Sequence, residues 1–114
     1  MNRFEVLGKV STKPALKYTQ GGTPVLEVDV SDTTKKGETY VTQHFIVKLY
    51  GKLAEDFSEH LAEGTEVWAS GEYERRQWRG RDGKSHTAEE LNAAYFRITR
   101  RPHEIKQPIP EDQL

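Results

Sequence analysis

Two segments of the sequence mix aromatic rings with basic side chains, a combination that suits contact with an unpaired nucleic-acid strand. In residues 44–50, alternation makes one face apolar and gives the other face the side chains of His44, Ile46, Lys48 and Tyr50. Residues 75–84 are predicted to form a hairpin whose Asp-Gly turn carries several cations and Trp78. Flat rings stack on any base and cations follow the phosphates, so this chemistry is typical of binding without sequence preference.

Each candidate ring also has a purely structural interpretation. Trp78 has few apolar neighbours in the sequence, which favours stacking on a base over burial in a core. Tyr50 precedes Gly51 and fits a cover for the following helix about as well, and His44 fits a solvated strand position slightly better than a binding position. Alternation places Trp68 on the same side of its strand as Glu72 and Glu74, which favours a subunit interface or partial burial over contact with DNA.

Nine Lys and Arg residues are our candidates for contacts with phosphates, and Lys35 and Lys36 extend the same path. The nine are Arg3, Lys9, Lys17, Lys48, Lys52, Arg76, Arg79, Arg81 and Lys84. The net charge of −1 opposes this assignment only at first sight, because residues 53–74 hold seven acidic residues and no Lys or Arg. The rest of the chain contains all 17 Lys and Arg residues but only 11 of the 18 acidic residues. The sign of the charge on each surface, and not the net charge, governs electrostatic steering of a charged partner.

Composition predicts one small domain without covalent or metal cross-links. A chain of 114 residues without cysteine has room for one modest core, and it lacks both a disulfide framework and thiolate metal ligands. The N-terminus leads directly into alternating sequence without a long apolar run, so we expect neither a signal peptide nor a membrane span. We infer a cytoplasmic protein.

Alternating hydrophobicity predicts an all-β fold. We expect strands over residues 3–10, 25–30, 38–50 and 65–78, with a loop over residues 33–37. Gly71 is expected to permit tight curvature of the fourth strand. Residues 88–98 begin with a helix-favouring string, but the topology requires a fifth strand there, and we predict a strand.

One helix is predicted over residues 51–63, where apolar residues recur at four-residue spacing and Gly64 follows as an end cap. We expect it to close one end of a barrel that residues 1–101 form. Residues 102–114 contain several prolines and polar residues, and we predict a short flexible tail.

No arrangement in the sequence is typical of an enzyme. The four histidines are far apart and lack metal-ligand spacing, and the sequence contains neither a Ser-centred nucleophile elbow nor a Gly-rich loop that opens a helix. We therefore expect no catalysis, no metal and no cofactor.

The order of these elements and several local strings resemble the bacterial single-stranded DNA-binding proteins over roughly residues 2–99. The strings are Asn2-Arg3, Pro14 with Leu16-Lys17-Tyr18 and Gly21-Gly22, residues 49–55 (LYGKLAE), Gly64 with Val67, Gly71, and Arg76-Gln77-Trp78 before Asp82-Gly83. This resemblance implies a five-stranded OB-fold barrel with one capping helix, and usually a homotetramer that wraps DNA along basic grooves.

Carried across by position, the resemblance assigns stacking to Tyr50 and Trp78. His44 stands where the family usually has a Trp, and Thr33 or Thr34 where another ring often lies. The sequence shows neither the long linker nor the acidic, Phe-ended tip through which the family recruits replication proteins, so recruitment of such partners is not carried over from the resemblance.

The sequence therefore predicts binding of single-stranded DNA without sequence preference, in replication, recombination or repair. A second hypothesis keeps the same barrel as a protein-interaction module of a replication or recombination complex, with weak DNA contact. The replaced rings and the acidic segment over residues 53–74 favour this alternative.

Overall fold

Six strands and one short helix make up the part of the chain that the structure, a computed structural model, describes, namely residues 2–102. The elements are β1 Arg3–Val10, β2 Leu16–Tyr18, β3 Pro24–Lys36, β4 Thr39–Tyr50, α1 Lys52–Phe57, β5 Glu66–Arg79 and β6 Ser85–Arg100. The prediction of an all-β fold is confirmed. The three-residue β2, which pairs with the start of β3, was not predicted.

Five of the strands close into a barrel. Their order is β1-β5-β6-β4-β3, and β1 returns to pair with β3 at Lys9 and Val10. β4 and β6 are parallel, and the other strand pairs are antiparallel. The alternate apolar residues of the strands meet in one core, which includes the fully buried Leu26, Leu49 and Leu91. This burial of one face per strand is what the alternating sequence requires.

Two long hairpins extend beyond the barrel. β3 and β4 remain paired as far as Lys36 and Thr39, and β5 and β6 remain paired as far as Arg79 and Ser85. The loop predicted over residues 33–37 was therefore wrong for residues 33–36, which continue β3. Cross-strand pairing overrides the local polar composition here, and the hydroxyls of Thr33 and Thr42 hydrogen-bond at 2.9 Å.

The helix is shorter than its apolar spacing predicts. α1 ends at Phe57 instead of residue 63, and turns at residues 58–60 and 63–64 follow it. The reason is tertiary, because the backbone of Gly64 and Thr65 hydrogen-bonds with Val10 and draws this segment toward β1. The helix nevertheless packs against the barrel core, where the ring of Phe57 meets Phe96 edge to face at 4.8 Å.

The predicted fifth strand is present and longer than expected, since β6 covers all of residues 88–98. Its pairing with β5 is irregular between Ser70 and Gly71, and a Cβ at Gly71 would collide with the carbonyl oxygen of Asn92. Gly71 thus permits the close approach that bends β5 around the barrel. Of the tail predicted over residues 102–114, residues 103–114 lie outside the described part. No helix of the described residues is long and apolar enough to cross a membrane.

Candidate nucleic-acid interface

The outer face of β4 is chemically distinct from its inner face, as its alternation predicts. Val47 and Leu49 are fully buried, whereas Lys48 and Tyr50 lie on the outside. β6 lies beside β4 and β5 lies beyond β6, so one outward surface combines side chains from three strands. We call this surface, from Tyr50 on β4 to Trp78 on β5, the β4–β6–β5 surface.

Trp78 is the exposed ring at one end of this surface. Its side chain lies in the β5–β6 hairpin, 42% exposed, directly opposite His86 in the register. The indole and the imidazole stack with centroids 5.5 Å apart and planes inclined by 23°. The guanidinium of Arg76 lies 4.7 Å from the centroid of the indole ring. Trp78 is therefore supported by two neighbours and is not part of the core.

The hairpin turn beyond Trp78 is ordered by Asp82. Its Oδ1 accepts a hydrogen bond from the backbone N–H of Lys84 at 2.9 Å and lies 3.3 Å from Nε2 of His86. Gly83 completes the turn with a φ of 78°, a backbone conformation that residues with a side chain rarely adopt. The turn thereby presents Arg79, Arg81 and Lys84, all solvent-exposed, around the tryptophan.

A pocket of about 300 Å³ lies between Trp78 and His44. Its wall includes Ile46 and Asp29, and Nδ1 of His44 lies 3.3 Å from Oδ1 of that aspartate. The imidazole of His44 is thus near the tryptophan, at the place that the sequence analysis gave it on the outer face of β4. Among the described residues that line the pocket there is no Lys or Arg, so the pocket suits a base better than a phosphate.

Two cations at the centre of the β4–β6–β5 surface share one carboxylate. Nζ of Lys48 lies 3.1 Å from Oε2 of Glu90, and Nε of Arg76 lies 3.0 Å from Oε1. Burial lowers the pKa of Lys48, but its hydrogen bond to Glu90 and the charge of Glu90 outweigh burial, so the net pKa lies above the usual 10.5. Lys48 therefore remains a cation on this surface.

Tyr50 marks the opposite end of the surface. The ring is 46% exposed, and Lys17 on β2 and Lys52 on α1 are nearby along the paired strands and the chain. Lys52 forms an exposed ion pair with Asp56 at 3.3 Å. Ile46 on β4 is level with Glu90 on β6, which is level with Glu74 on β5. Tyr50 lies four residues from this level in one direction and Trp78 lies four residues from it in the other. The two rings are therefore about eight residues apart along the strands, or roughly 26 Å at about 3.3 Å per residue.

The two remaining basic candidates lie on β1, the neighbour of β5 on the side away from β6. Arg3 is directly across from Glu72 and Lys9 from Glu66, which lie six and twelve residues from Trp78 along β5. Arg97 lies over the Trp68 indole at 5.3 Å, and Leu7 is directly across from that tryptophan. The structure therefore does not bring Arg3 and Lys9 together with Trp78.

Comparison with known proteins identifies the family. The model of the single-strand binding protein family matches residues 1–99, which span all six strands except the last residue of β6. The chain belongs to this family.

Individual relatives are also named single-stranded DNA-binding proteins. The single-stranded DNA-binding protein of Aquifex aeolicus (strain VF5) is 27% identical over 118 residues, which cover 99% of this chain and 80% of that protein. Single-stranded DNA-binding protein 1 of Xylella fastidiosa (strain 9a5c) is 29% identical over 99 residues, 82% of this chain and 73% of that protein. Both are similar to this chain over most of its length.

Solved structures share the fold. A small single-stranded DNA-binding protein from Streptomyces coelicolor matches with a TM-score of 0.67 over 85% of this chain and 93% of its own, at 24% identity. The wild-type single-stranded DNA-binding protein of Thermus aquaticus matches with a TM-score of 0.68 over 88% of this chain and 50% of its own, also at 24% identity. The predicted five-stranded OB barrel is confirmed.

Two residues of this family member's surface were missed by the sequence analysis, namely His86 and Glu90. His86 had a usable signal, because Trp78 and His86 lie at equal distances from Asp82 in the Asp-Gly hairpin. Glu90 had none, since its contacts with β4 and β5 depend on the order of strands in the barrel. No group of three or more metal-ligating side chains was found among the described residues.

Proposed function

We propose that this chain binds single-stranded DNA with little sequence preference, in replication, recombination or repair. The observation that carries the proposal is Trp78, a half-exposed indole in a hairpin rich in cations, at one end of the β4–β6–β5 surface. An exposed ring of this kind stacks on any base, because every base has a π-face. Membership of the single-strand binding protein family and the names of its relatives support the same function. Such DNA lies in the bacterial cytoplasm, which we propose as its location.

The charges of the surface support a defined path for the strand. We propose that phosphates follow the hairpin cations Arg79, Arg81 and Lys84, pass Lys48 and Arg76, and reach Lys17 and Lys52 beside Tyr50. Among the described residues, the three hairpin cations have no carboxylate within ion-pair distance, so their charges are available to phosphates. The bases would then meet Trp78 at one end, His44 beside it, and Tyr50 at the other.

Titration with labelled oligonucleotides tests this function. Oligo-dT is expected to bind much more tightly than a duplex of the same length, since stacking on Trp78 requires unpaired bases. Affinity is expected to fall with salt, with a slope of log K against log salt of about −0.7 for each phosphate neutralised. Equal affinity for duplex, or a flat salt response, would contradict the proposal and favour the protein-interaction module.

We further propose a homo-oligomer, with a tetramer favoured over a dimer. Leu7 and Tyr95 are 54% and 63% exposed on the wall that carries Trp68, and apolar surface of this kind is typical of an interface. Over residues 3–8, β1 pairs with β5 along one edge, while its pairing with β3 begins at Lys9. A strand edge without a partner favours pairing with another chain.

Light scattering of the wild type and of Leu7→Glu tests the oligomer. We expect the wild type to be larger than a monomer at micromolar concentration and Leu7→Glu to be smaller, because a charge is costly to bury in an interface. Tyr18→Glu is a suitable control, since Tyr18 is as exposed as Tyr95 but lies on the edge strand β2. A monomeric wild type would refute the proposal.

A further inference from the structure

Glu90 is a nearly fully buried carboxylate at the centre of a surface that is otherwise suited to phosphates. Only 3% of the side chain is exposed, although Glu90 points outward between β4 and β5. Burying a carboxylate is strongly unfavourable unless opposite charges compensate it, and a negative charge here also repels DNA. A buried acid on the β4–β6–β5 surface therefore needs compensating charges and a reason for its place there.

The contacts of Glu90 suggest that reason. Each carboxylate oxygen faces one cation, with Lys48 on β4 and Arg76 on β5, so one acid fixes two cations on strands that do not pair with each other. Their combined charge is +1, which leaves the cluster attractive to a phosphate. Arg76 in turn lies over the indole of Trp78. Glu90 thus links the central cations to the proposed stacking ring.

The way in which Arg76 is held leaves its donors available. Oε1 of Glu90 has no aligned hydrogen-bond donor among the described residues, although Nε of Arg76 is only 3.0 Å away. Charge attraction therefore holds the guanidinium without an aligned hydrogen bond to Oε1. Arg carries five N–H donors in a planar fork that matches phosphate geometry, and they can turn to an incoming phosphate.

We propose that Glu90 is a positioning residue for single-stranded DNA, which holds Lys48 and Arg76 in place for a phosphate and keeps Arg76 against Trp78. This role rests on the proposed function. Cations that are ordered before binding lose less conformational entropy when the strand arrives, which favours affinity despite the negative charge of Glu90. A purely electrostatic account predicts the opposite sign, because the carboxylate would only repel phosphates.

A matched pair of substitutions separates the two accounts. Glu90→Gln and Glu27→Gln each remove one negative charge from beside Lys48, since Glu27 is exposed on β3 directly across from that lysine. We expect Glu27→Gln to tighten oligo-dT binding by up to about threefold, because repulsion of phosphates falls. We expect Glu90→Gln to weaken binding by about tenfold, because both cations lose their anchor. Affinity for Glu90→Gln equal to or tighter than that of the wild type would overturn the proposal.

A double-mutant cycle tests whether Glu90 acts through Arg76. In an Arg76→Ala background, Glu90→Gln is expected to weaken binding by clearly less than in the wild type, because one of its two partners is already gone. An undiminished loss would refute the positioning role. Thermal unfolding of each variant, with binding measured well below its midpoint, separates affinity from folding. If Glu90→Gln does not fold, Glu90→Asp keeps the charge but shortens the side chain, and undiminished affinity there refutes the role.

The outcomes also distinguish this proposal from the function on which it rests. A wild type that does not bind oligo-dT would remove both the function and the role of Glu90. A wild type that binds oligo-dT, together with a Glu90→Gln variant that binds at least as well, would remove only the role of Glu90.

Discussion

Replacing Trp78 by Ala separates stacking on a base from packing within the protein. In the free protein, the indole contacts the imidazole of His86 and the guanidinium of Arg76. An aromatic pair contributes about 0.5–1.5 kcal/mol and an exposed cation–π contact about 0.5–1 kcal/mol. The free energy of unfolding is therefore expected to fall by about 1–2.5 kcal/mol, less than the roughly 3–5 kcal/mol for a core ring.

The expected loss of affinity is of similar size to the loss of stability. One stacked base contributes about 1–3 kcal/mol, so Trp78→Ala is expected to weaken binding of oligo-dT by about 5- to 150-fold. The salt dependence should change little, because the substitution removes a ring and no cation. Fluorescence anisotropy at several salt concentrations gives both quantities, and denaturant unfolding of the same protein gives its stability.

The second tryptophan provides a matched control. The chain contains two Trp residues, so Trp68→Phe leaves Trp78 as the only indole and Trp78→Phe leaves Trp68. Fluorescence of the Trp68→Phe protein is expected to be quenched when oligo-dT binds, because a base covers the ring. Fluorescence of the Trp78→Phe protein should change much less, since Trp68 is ten residues from position 78 along β5. A loss of stability of about 3–5 kcal/mol with unchanged affinity would refute the stacking role.

Three further predictions address other parts of the molecule. Gly71→Ala is expected to lower the free energy of unfolding by about 1–3 kcal/mol in denaturant titrations, because the added methyl group meets the backbone of Asn92. The contacts that raise the pKa of Lys48 stabilise the fold fully below pH 10.5, and this contribution is lost as the pH rises through the higher pKa of the folded state. Over that pH range, the free energy of unfolding of the wild type should therefore fall more than that of Glu90→Gln. Tyr50→Ala is expected to weaken oligo-dT binding less than Trp78→Ala, and a lower melting temperature with unchanged affinity would identify Tyr50 as a cover for α1.

Sequence patterns predicted features that depend on nearby residues. The alternation in residues 44–50 correctly placed Val47 and Leu49 in the core and Lys48 on the surface, because a strand turns successive side chains to opposite faces. The Asp82–Gly83 turn correctly predicted the β5–β6 hairpin, since this dipeptide favours a tight turn. The family resemblance supplied the barrel topology, which alternation alone does not determine.

Only the tertiary structure decided features that depend on distant parts of the chain. α1 ends early because residues 64 and 65 pair with Val10, and β3 extends to Lys36 because β4 pairs with it that far. Arg3 has the charge of a phosphate contact, but the pairing of β1 with β5 places it away from Trp78. Glu90 is buried because the strand order places β6 between β4 and β5, which brings Lys48 and Arg76 to either side of it. Strand order and register bring such residues together across long sequence separations, whereas hydrophobic alternation reports only the face on which each side chain lies.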